Sequence, residues 1–370
     1  FFFFLPLLIV GLWTPVSLIA APPTKVLLVV SGHGQDQGET RPGFEFDEFA
    51  QAYEIFRANG VAVDVASPRG GPVEADEYDP EKPYNARILA DEAAMQKLAA
   101  TRPTSAIEPG DYAAVFVIGG KGAMFDLPKD EALRTLLART YEANGVVAGV
   151  CHGPAVFAQV RLSDGTALVA GKAVTGFTNE EEAVFSKKWS KDFPFMLEDA
   201  LRARGGRFAE ADMMLPFVQA DGRIVTGQNP FSTPLAVEAT LRAMGRVPAA
   251  RTPYADERSL LLVTRFLDGE ADWARHELAA ETPEHEPALI AMWGYFRSQD
   301  PAAHIEAVAD GLAVMKLAAP YFQDPRLELG MAEAERRLGK TADARRRAEK
   351  LLAQKPDMEE ARKLLAAMAE

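Results

Sequence analysis

The chain has 370 residues, with 40 Lys+Arg against 53 Asp+Glu for a formal charge of −13, and it is 48% hydrophobic and 25% charged. This composition excludes a disordered chain, and the acidic balance excludes a protein that tracks nucleic-acid backbone, which needs a surplus of Lys and Arg to displace counterions. The single cysteine, Cys151, excludes internal disulfides and thiolate-cluster metal sites, and at about 100–200 residues per domain the length predicts two domains.

Residues 1–24 are uncharged and apolar and end in Ser17-Leu18-Ile19-Ala20-Ala21 before Pro22-Pro23. This is the pattern of the apolar region and cleavage site of a secretory signal peptide. The expectation is an extracytoplasmic (periplasmic or secreted) protein, with an N-terminal membrane anchor as the alternative; Pro6 and Pro15 interrupt a spanning helix. In an oxidising compartment an unpaired thiol is a candidate for reactivity.

Residues 25–245 alternate short β-branched runs with amphipathic stretches, which predicts an α/β doubly wound sheet. Residues 25–30 read as a buried first strand, and 46–59 carry Phe49, Ala52, Tyr53 and Phe56 at helical spacing before Gly60. Strands follow at 61–66, at 112–118 ending in Gly119-Gly120, and at 146–150 running into Cys151. Shorter pieces are a strand at 173–175, a helix over 195–204, a strand at 223–226 and a closing helix over 233–244. Residues 246–258, with Pro248 and Pro253, read as a linker.

Only five of the 28 glycines fall in residues 251–370, and strand-like runs nearly vanish there. Residues 259–370 therefore read as a smaller all-α domain of helical hairpins. Amphipathic segments at 325–338 and 341–355 flank Gly339, and a last helix covers 359–369. Ala332, Gly339, Ala344 and Pro356 sit at spacings similar to a tetratricopeptide repeat, which would imply a protein partner; a generic helical appendage is the alternative.

The chemistry concentrates at Gly149-Val150-Cys151-His152-Gly153-Pro154. A cysteine between a buried strand and a following helix is lifted out of the sheet at the carboxyl ends of the strands, where open α/β sheets bind ligands. The helix amino terminus is expected to lower the thiol pKa. His33, in Ser31-Gly32-His33-Gly34, follows the first strand and is a candidate to line the same site. His33 and His152 are the only histidines of residues 25–245, too few for a histidine metal triad.

At these residues the sequence resembles the ThiJ/PfpI superfamily, relatives of the class I glutamine amidotransferases, and within it the heat-shock chaperone and glyoxalase III subgroup. The resemblance covers about residues 25–245 and rests on motifs in register: Glu48 within Gly43-Phe44-Glu45-Phe46-Asp47-Glu48, Ala66-Ser67-Pro68, Gly119-Gly120-Lys121-Gly122-Ala123-Met124, the Cys151-His152-Gly153-Pro154 elbow, Gly176-Phe177-Thr178-Asn179-Glu180-Glu181-Glu182, Asp221-Gly222, and Thr226-Gly227-Gln228-Asn229-Pro230. It implies a flavodoxin-like fold with a nucleophile elbow. It further implies a catalytic group of Cys151, His152, Glu48 as proton shuttle and Glu182 as the acidic partner of His152, with Glu180 and Glu181 as close rivals. An oxyanion hole would form from the Gly119-Gly120-Lys121 turn and the His152 amide. Lys121 stands where subgroup members often have His, so a fixed charge replaces a group that titrates near neutrality.

The implied activity needs no cofactor and no metal. Cys151 would add to a small 2-oxoaldehyde such as methylglyoxal, and a proton shift followed by hydrolysis would release a 2-hydroxy acid. The same resemblance offers a holdase chaperone or a thiol redox-stress sensor as the alternative, and a cysteine hydrolase or peptidase as a further one. It also implies a homodimer, an interface that the helical region could block or replace. Amidotransferase chemistry fails on inventory, because no histidine lies between His152 and His276.

Overall fold

The computed structural model describes residues 25–299 and 303–368; the expected signal peptide lies outside them. The strands are β1 (Lys25–Val29), β2 (Ala62–Ser67), β3 (Arg102–Pro103), β4 (Ala114–Val117), β5 (Val146–Val150), β6 (Ala173–Val174), β7 (Arg207–Phe208), β8 (Val218–Asp221) and β9 (Ile224–Gly227). Seven of them form one sheet in the order β3-β2-β1-β4-β5-β9-β8, and β6 and β7 pair separately. All pairs in the large sheet are parallel except β8–β9. Parallel strands are buried on both faces, which is why β4 and β5 read as unbroken apolar runs. The run β2-β1-β4-β5-β9 is the flavodoxin-like order with its topological switch beside β1, so a site is due at the carboxyl ends of β1, β4 and β5.

The helices of this domain are α1 (Phe46–Ala58), α2 (Pro83–Ala90), α3 (Glu92–Ala99), α4 (Glu131–Glu142), α5 (Asn179–Phe185), α6 (Leu197–Ala203) and α7 (Thr233–Ala243). Helices α1 and α7 pack together against the sheet, and α4 packs on β4 and β5. Sequence periodicity singled out neither α2–α4 nor β8. Strand β8, Val-Gln-Ala-Asp, is an edge strand of mixed exposure, so its pattern carries little apolar signal. The segment after Cys151 is a 3₁₀ helix, Gly153–Gln159, where an α-helix was expected.

The tail is α8 (Ala255–Leu267), α9 (Ala271–Ala280), α10 (Pro287–Gln299), α11 (Ile305–Ala318), α12 (Pro325–Arg337), α13 (Thr341–Gln354) and α14 (Glu359–Ala367). Helix α8 begins inside the span expected to be linker. Gly294 and Gly311 let α10 and α11 cross closely, since a Cβ on either would lie 2.6 Å from the carbonyl oxygen of the other. No helix among the described residues is long and apolar enough to cross a membrane.

The tail is docked on the α/β domain. Met213, Met214 and Leu215 share a core with Leu260, Ile290 and Trp293, and the Trp293 indole N–H donates to the Met213 carbonyl at 2.9 Å. On the α1 side, the Tyr84 hydroxyl lies 2.8 Å from Asp256 and 3.1 Å from Asp47, and Tyr254 reaches Glu54 at 3.0 Å. Buried polar groups paired across a boundary fix its register, because leaving any one of them unpaired costs about 1–3 kcal/mol.

Candidate active site

Strand β5 delivers Cys151 with φ +58°, a left-handed conformation that costs a non-glycine residue about 1–3 kcal/mol. Two hydrogen bonds hold the elbow: the Cys151 N–H donates to the Gly227 carbonyl and the Phe177 N–H to the Cys151 carbonyl, both at 3.0 Å. Gly153 is required because a Cβ there would sit 2.3 Å from the Val117 carbonyl oxygen, which lets the elbow press against β4.

Cys151 Sγ lies 3.2 Å from His152 Nδ1, and His152 Nε2 lies 3.1 Å from Glu182 Oε1. The imidazole stacks on Phe177 at 4.4 Å between ring centroids and meets the edge of Phe193 at 6.0 Å. Burial opposes ionisation of Glu182, but His152, with Ser186 and the Lys121 charge, outweighs it and holds the carboxyl below its usual range. An ionised carboxylate only accepts, so Nε2 carries the proton and Nδ1 faces the sulfur.

Opposite the thiol, fully buried Glu48 accepts the Gly119 N–H through Oε2 at 2.6 Å, while its Oε1 makes no hydrogen bond. Burial, reinforced by Glu45, pushes the Glu48 carboxyl well up. Burial and the Glu48 carboxylate likewise push the Cys151 thiol up, against the pull of the Gly120 N–H. The lowering expected from a helix terminus is therefore not what this geometry gives, since the sulfur is 2% exposed and faces a carboxyl. The two groups are coupled, so their protons come off as those of a pair. A proton on Glu48 removes the charge that opposes the thiolate.

The Gly120 N–H reaches the Cys151 sulfur, and Gly120 is held at φ +90° against Phe44 and Glu45.

These groups open into a cavity of about 200 Å³ lined by Glu45, Gly120, Lys121, Cys151, His152, Phe177, Glu181, Phe185, Met214, Asn229, Pro230, Phe231 and Met292. That is below the roughly 300–1,000 Å³ of sites for drug-sized ligands. A more open cleft of about 420 Å³ between α1, α2 and residues 249–254 contains no nucleophile, and its Arg87 and Arg251 are engaged by Glu54, Glu238 and Glu257.

The structure thus brings together Cys151, His152, Glu48, Glu182, Gly119, Gly120 and Lys121. His33 stands apart: it stacks on Phe125 at 4.7 Å, Phe125 meets Phe193, and no part of His33 reaches the cavity. The three consecutive glutamates divide their roles. Glu182 meets His152, and Glu180 faces Arg297 at the surface. Glu181 closes a capping box with Thr178 and accepts from the Met214 N–H and the Asn229 amide, each at 2.9 Å. The Thr178-x-x-Glu181 spacing is a capping-box signature that would have set Glu181 aside.

Sequence reasoning also missed Glu45. It lines the cavity beside Lys121, and burial, reinforced by Asp47 and opposed by Lys121, pushes its carboxyl up to about 7. No group of three or more His, Cys, Asp or Glu suited to a metal ion occurs among the described residues.

A strained cysteine on a strand-to-helix elbow, with an imidazole on one side and a buried carboxyl on the other, thus stands at the carboxyl ends of a flavodoxin-like sheet. Residues 40–242 match the model of the DJ-1/PfpI family, and the chain belongs to that family. It is 32% identical over 243 residues to a glutathione-independent glyoxalase of Schizosaccharomyces pombe, covering 59% of this chain and 95% of the relative. A glutathione-independent glyoxalase of Saccharomyces cerevisiae is 31% identical over 225 residues, covering 57% and 93%. Among solved structures, glyoxalase III of Candida albicans superimposes with a TM-score of 0.54 at 28% identity, covering 59% of this chain and 96% of its own.

Proposed function

We propose that this chain is a glutathione-independent glyoxalase that converts a small 2-oxoaldehyde to a 2-hydroxy acid. The observation that carries the proposal is the buried Glu48 carboxyl set against Cys151, with the Gly120 N–H at the sulfur. The names and coverage of the relatives support the same reaction class.

The Cys151 thiolate adds to the aldehyde carbon, forming a C–S bond, and the carbonyl electrons move to oxygen between the Gly120 and His152 amides. Glu48 gives its proton to that oxygen, leaving a hemithioacetal and a carboxylate. The Glu48 carboxylate now removes the hydrogen of the first carbon, and the electron pair moves into an enediolate with its charge on the second-carbon oxygen. Return of that proton to the second carbon, with the first-carbon hydroxyl proton passing to the second-carbon oxygen, gives a thioester of the 2-hydroxy acid. Water cleaves the C–S bond, releasing the acid and restoring the thiol. The first carbon is oxidised and the second reduced by the same electron pair, so no external redox partner or cofactor is needed. His152, oriented by Glu182, holds its Nδ1 against the sulfur at 3.2 Å and positions it.

The test is turnover of a panel of 2-oxoaldehydes without glutathione, read as 2-hydroxy acid formed, with Cys151→Ser as control. Acid formation by the parent and not by the variant is expected. No turnover of any member by folded parent protein overturns the proposal.

A further inference from the structure

The matched family region stops at residue 242, before the tail, yet one tail residue lines the Cys151 cavity. Met292 on α10 lines it, 40% exposed, together with the apolar side chains Phe177, Phe185, Met214 and Phe231. The next residue of α10, Trp293, is 1% exposed and donates to the Met213 carbonyl. Beside it Met214 is held at φ +66° with its N–H on Glu181. Phe296, one turn on, meets Phe185 of α5 edge to face at 5.1 Å. Helix α10 therefore supports the two segments that form the apolar wall, and adds a side chain of its own.

We infer that α10 is a structural part of the active site and that its Met292, with the wall it closes, selects 2-oxoaldehydes bearing an apolar substituent larger than hydrogen, up to an aryl group. The inference about substrate rests on the glyoxalase reading; the inference about the wall does not. A dicarbonyl seated with its aldehyde carbon on Cys151 in a cavity of about 200 Å³ has these five apolar side chains to receive its substituent. A thioether suits that place, because methionine adapts its shape to groups of different size. A hydrophobic pocket discriminates by about 10–200-fold for each methylene gained or lost.

The experiment uses the full chain and two substitutions of the exposed rim residue, Met292→Ala and Met292→Trp, each checked for a parent-like melting temperature. Because Cys151 is the only thiol, its alkylation by N-phenylmaleimide and by iodoacetamide, followed by intact mass, reports access to the cavity without reference to turnover. Met292→Ala is expected to speed the bulky reagent severalfold relative to the small one, and Met292→Trp to slow it by a similar factor. In parallel, the kcat/KM ratio of phenylglyoxal to glyoxal is expected to fall about tenfold in both variants, by lost contact in one and by occlusion in the other. Alkylation rates indistinguishable from the parent overturn the wall. Shifted alkylation with an unchanged phenylglyoxal-to-glyoxal ratio overturns the substrate class. Shifted alkylation in a protein that turns over no 2-oxoaldehyde leaves the wall standing and overturns the substrate class together with the glyoxalase reading.

Discussion

Gly119→Ala adds one methyl group at the centre of the site and removes no functional atom. The new Cβ would lie 2.7 Å from Cys151 Cβ, 2.7 Å from the Val150 carbonyl oxygen and 2.9 Å from Glu48 Oε2. To reach a tolerable 3.4 Å the first two contacts must each open by about 0.7 Å and the third by about 0.5 Å. The Val150 carbonyl belongs to the central sheet and cannot yield, so Cys151 and Glu48 must move apart. Overpacking of this kind costs about 1–3 kcal/mol. A misplacement approaching 1 Å between reacting groups costs about 100-fold in rate. We therefore expect kcat for 2-hydroxy acid formation to fall about 100-fold, with a melting temperature lowered by about 2–4 °C per kcal/mol lost. Gly110→Ala is the control, since a Cβ there meets nothing within 4 Å. A Gly119→Ala protein with parent-like kcat would refute the placement of Glu48 against the sulfur.

Further outcomes follow from the carboxyls. Glu48→Gln keeps the Gly119 hydrogen bond but removes the shuttle, and should lower kcat by at least about 100-fold while Cys151 still forms a covalent adduct visible by mass. Glu182 titrates below the ordinary glutamate value of 4.5, so its contribution to stability is present above that value and is lost as pH falls through the lower folded pKa. The stability gap between parent and Glu182→Gln in urea should accordingly be full at pH 7 and shrink in acid; a gap that grows in acid contradicts the His152–Glu182 pair. Glu45 shows the opposite sign. Its pKa rises from 4.5 to about 7, so the folded state loses stability as pH rises between those values, by up to about 3 kcal/mol. Glu45→Gln should recover that loss at pH 8 and not at pH 4, measured by the same urea titration.

How much of this the sequence disclosed depended on whether the signal was local. The elbow was legible because its chemistry and its backbone demands sit in one hexapeptide, residues 149–154. Helices α12–α14 were legible because each has a clear polar face and Gly339 or Pro356 punctuates them. His33 was misplaced because a loop after a strand end can turn either way, and Phe125 holds this one outside the cavity. Glu45 reads as one of several acids at a helix start, and only the packing of Lys121 and Gly120 upon it makes it a site residue. Met292 lies far along the chain on a helix whose apolar residues nearly surround it, so no periodicity marks the side that meets the cavity.

Burial of Cys151 bears on how the thiol is kept reactive. A solvated cysteine at a helix terminus gains its thiolate from the dipole, but a sulfur 2% exposed beside a carboxyl cannot hold a second negative charge next to it. The arrangement resolves this by coupling: burial holds a proton on Glu48, and while it is there no charge stands beside the sulfur. Attack consumes the thiolate charge and creates an alkoxide within reach of the same proton, so the shuttle is discharged at the moment its carboxylate is needed as a base. Burial is what keeps that proton on Glu48: the hydrogen bonds to the Gly119 N–H and to the Cys151 side chain both pull its pKa down, and desolvation with the Glu45 charge outweighs them.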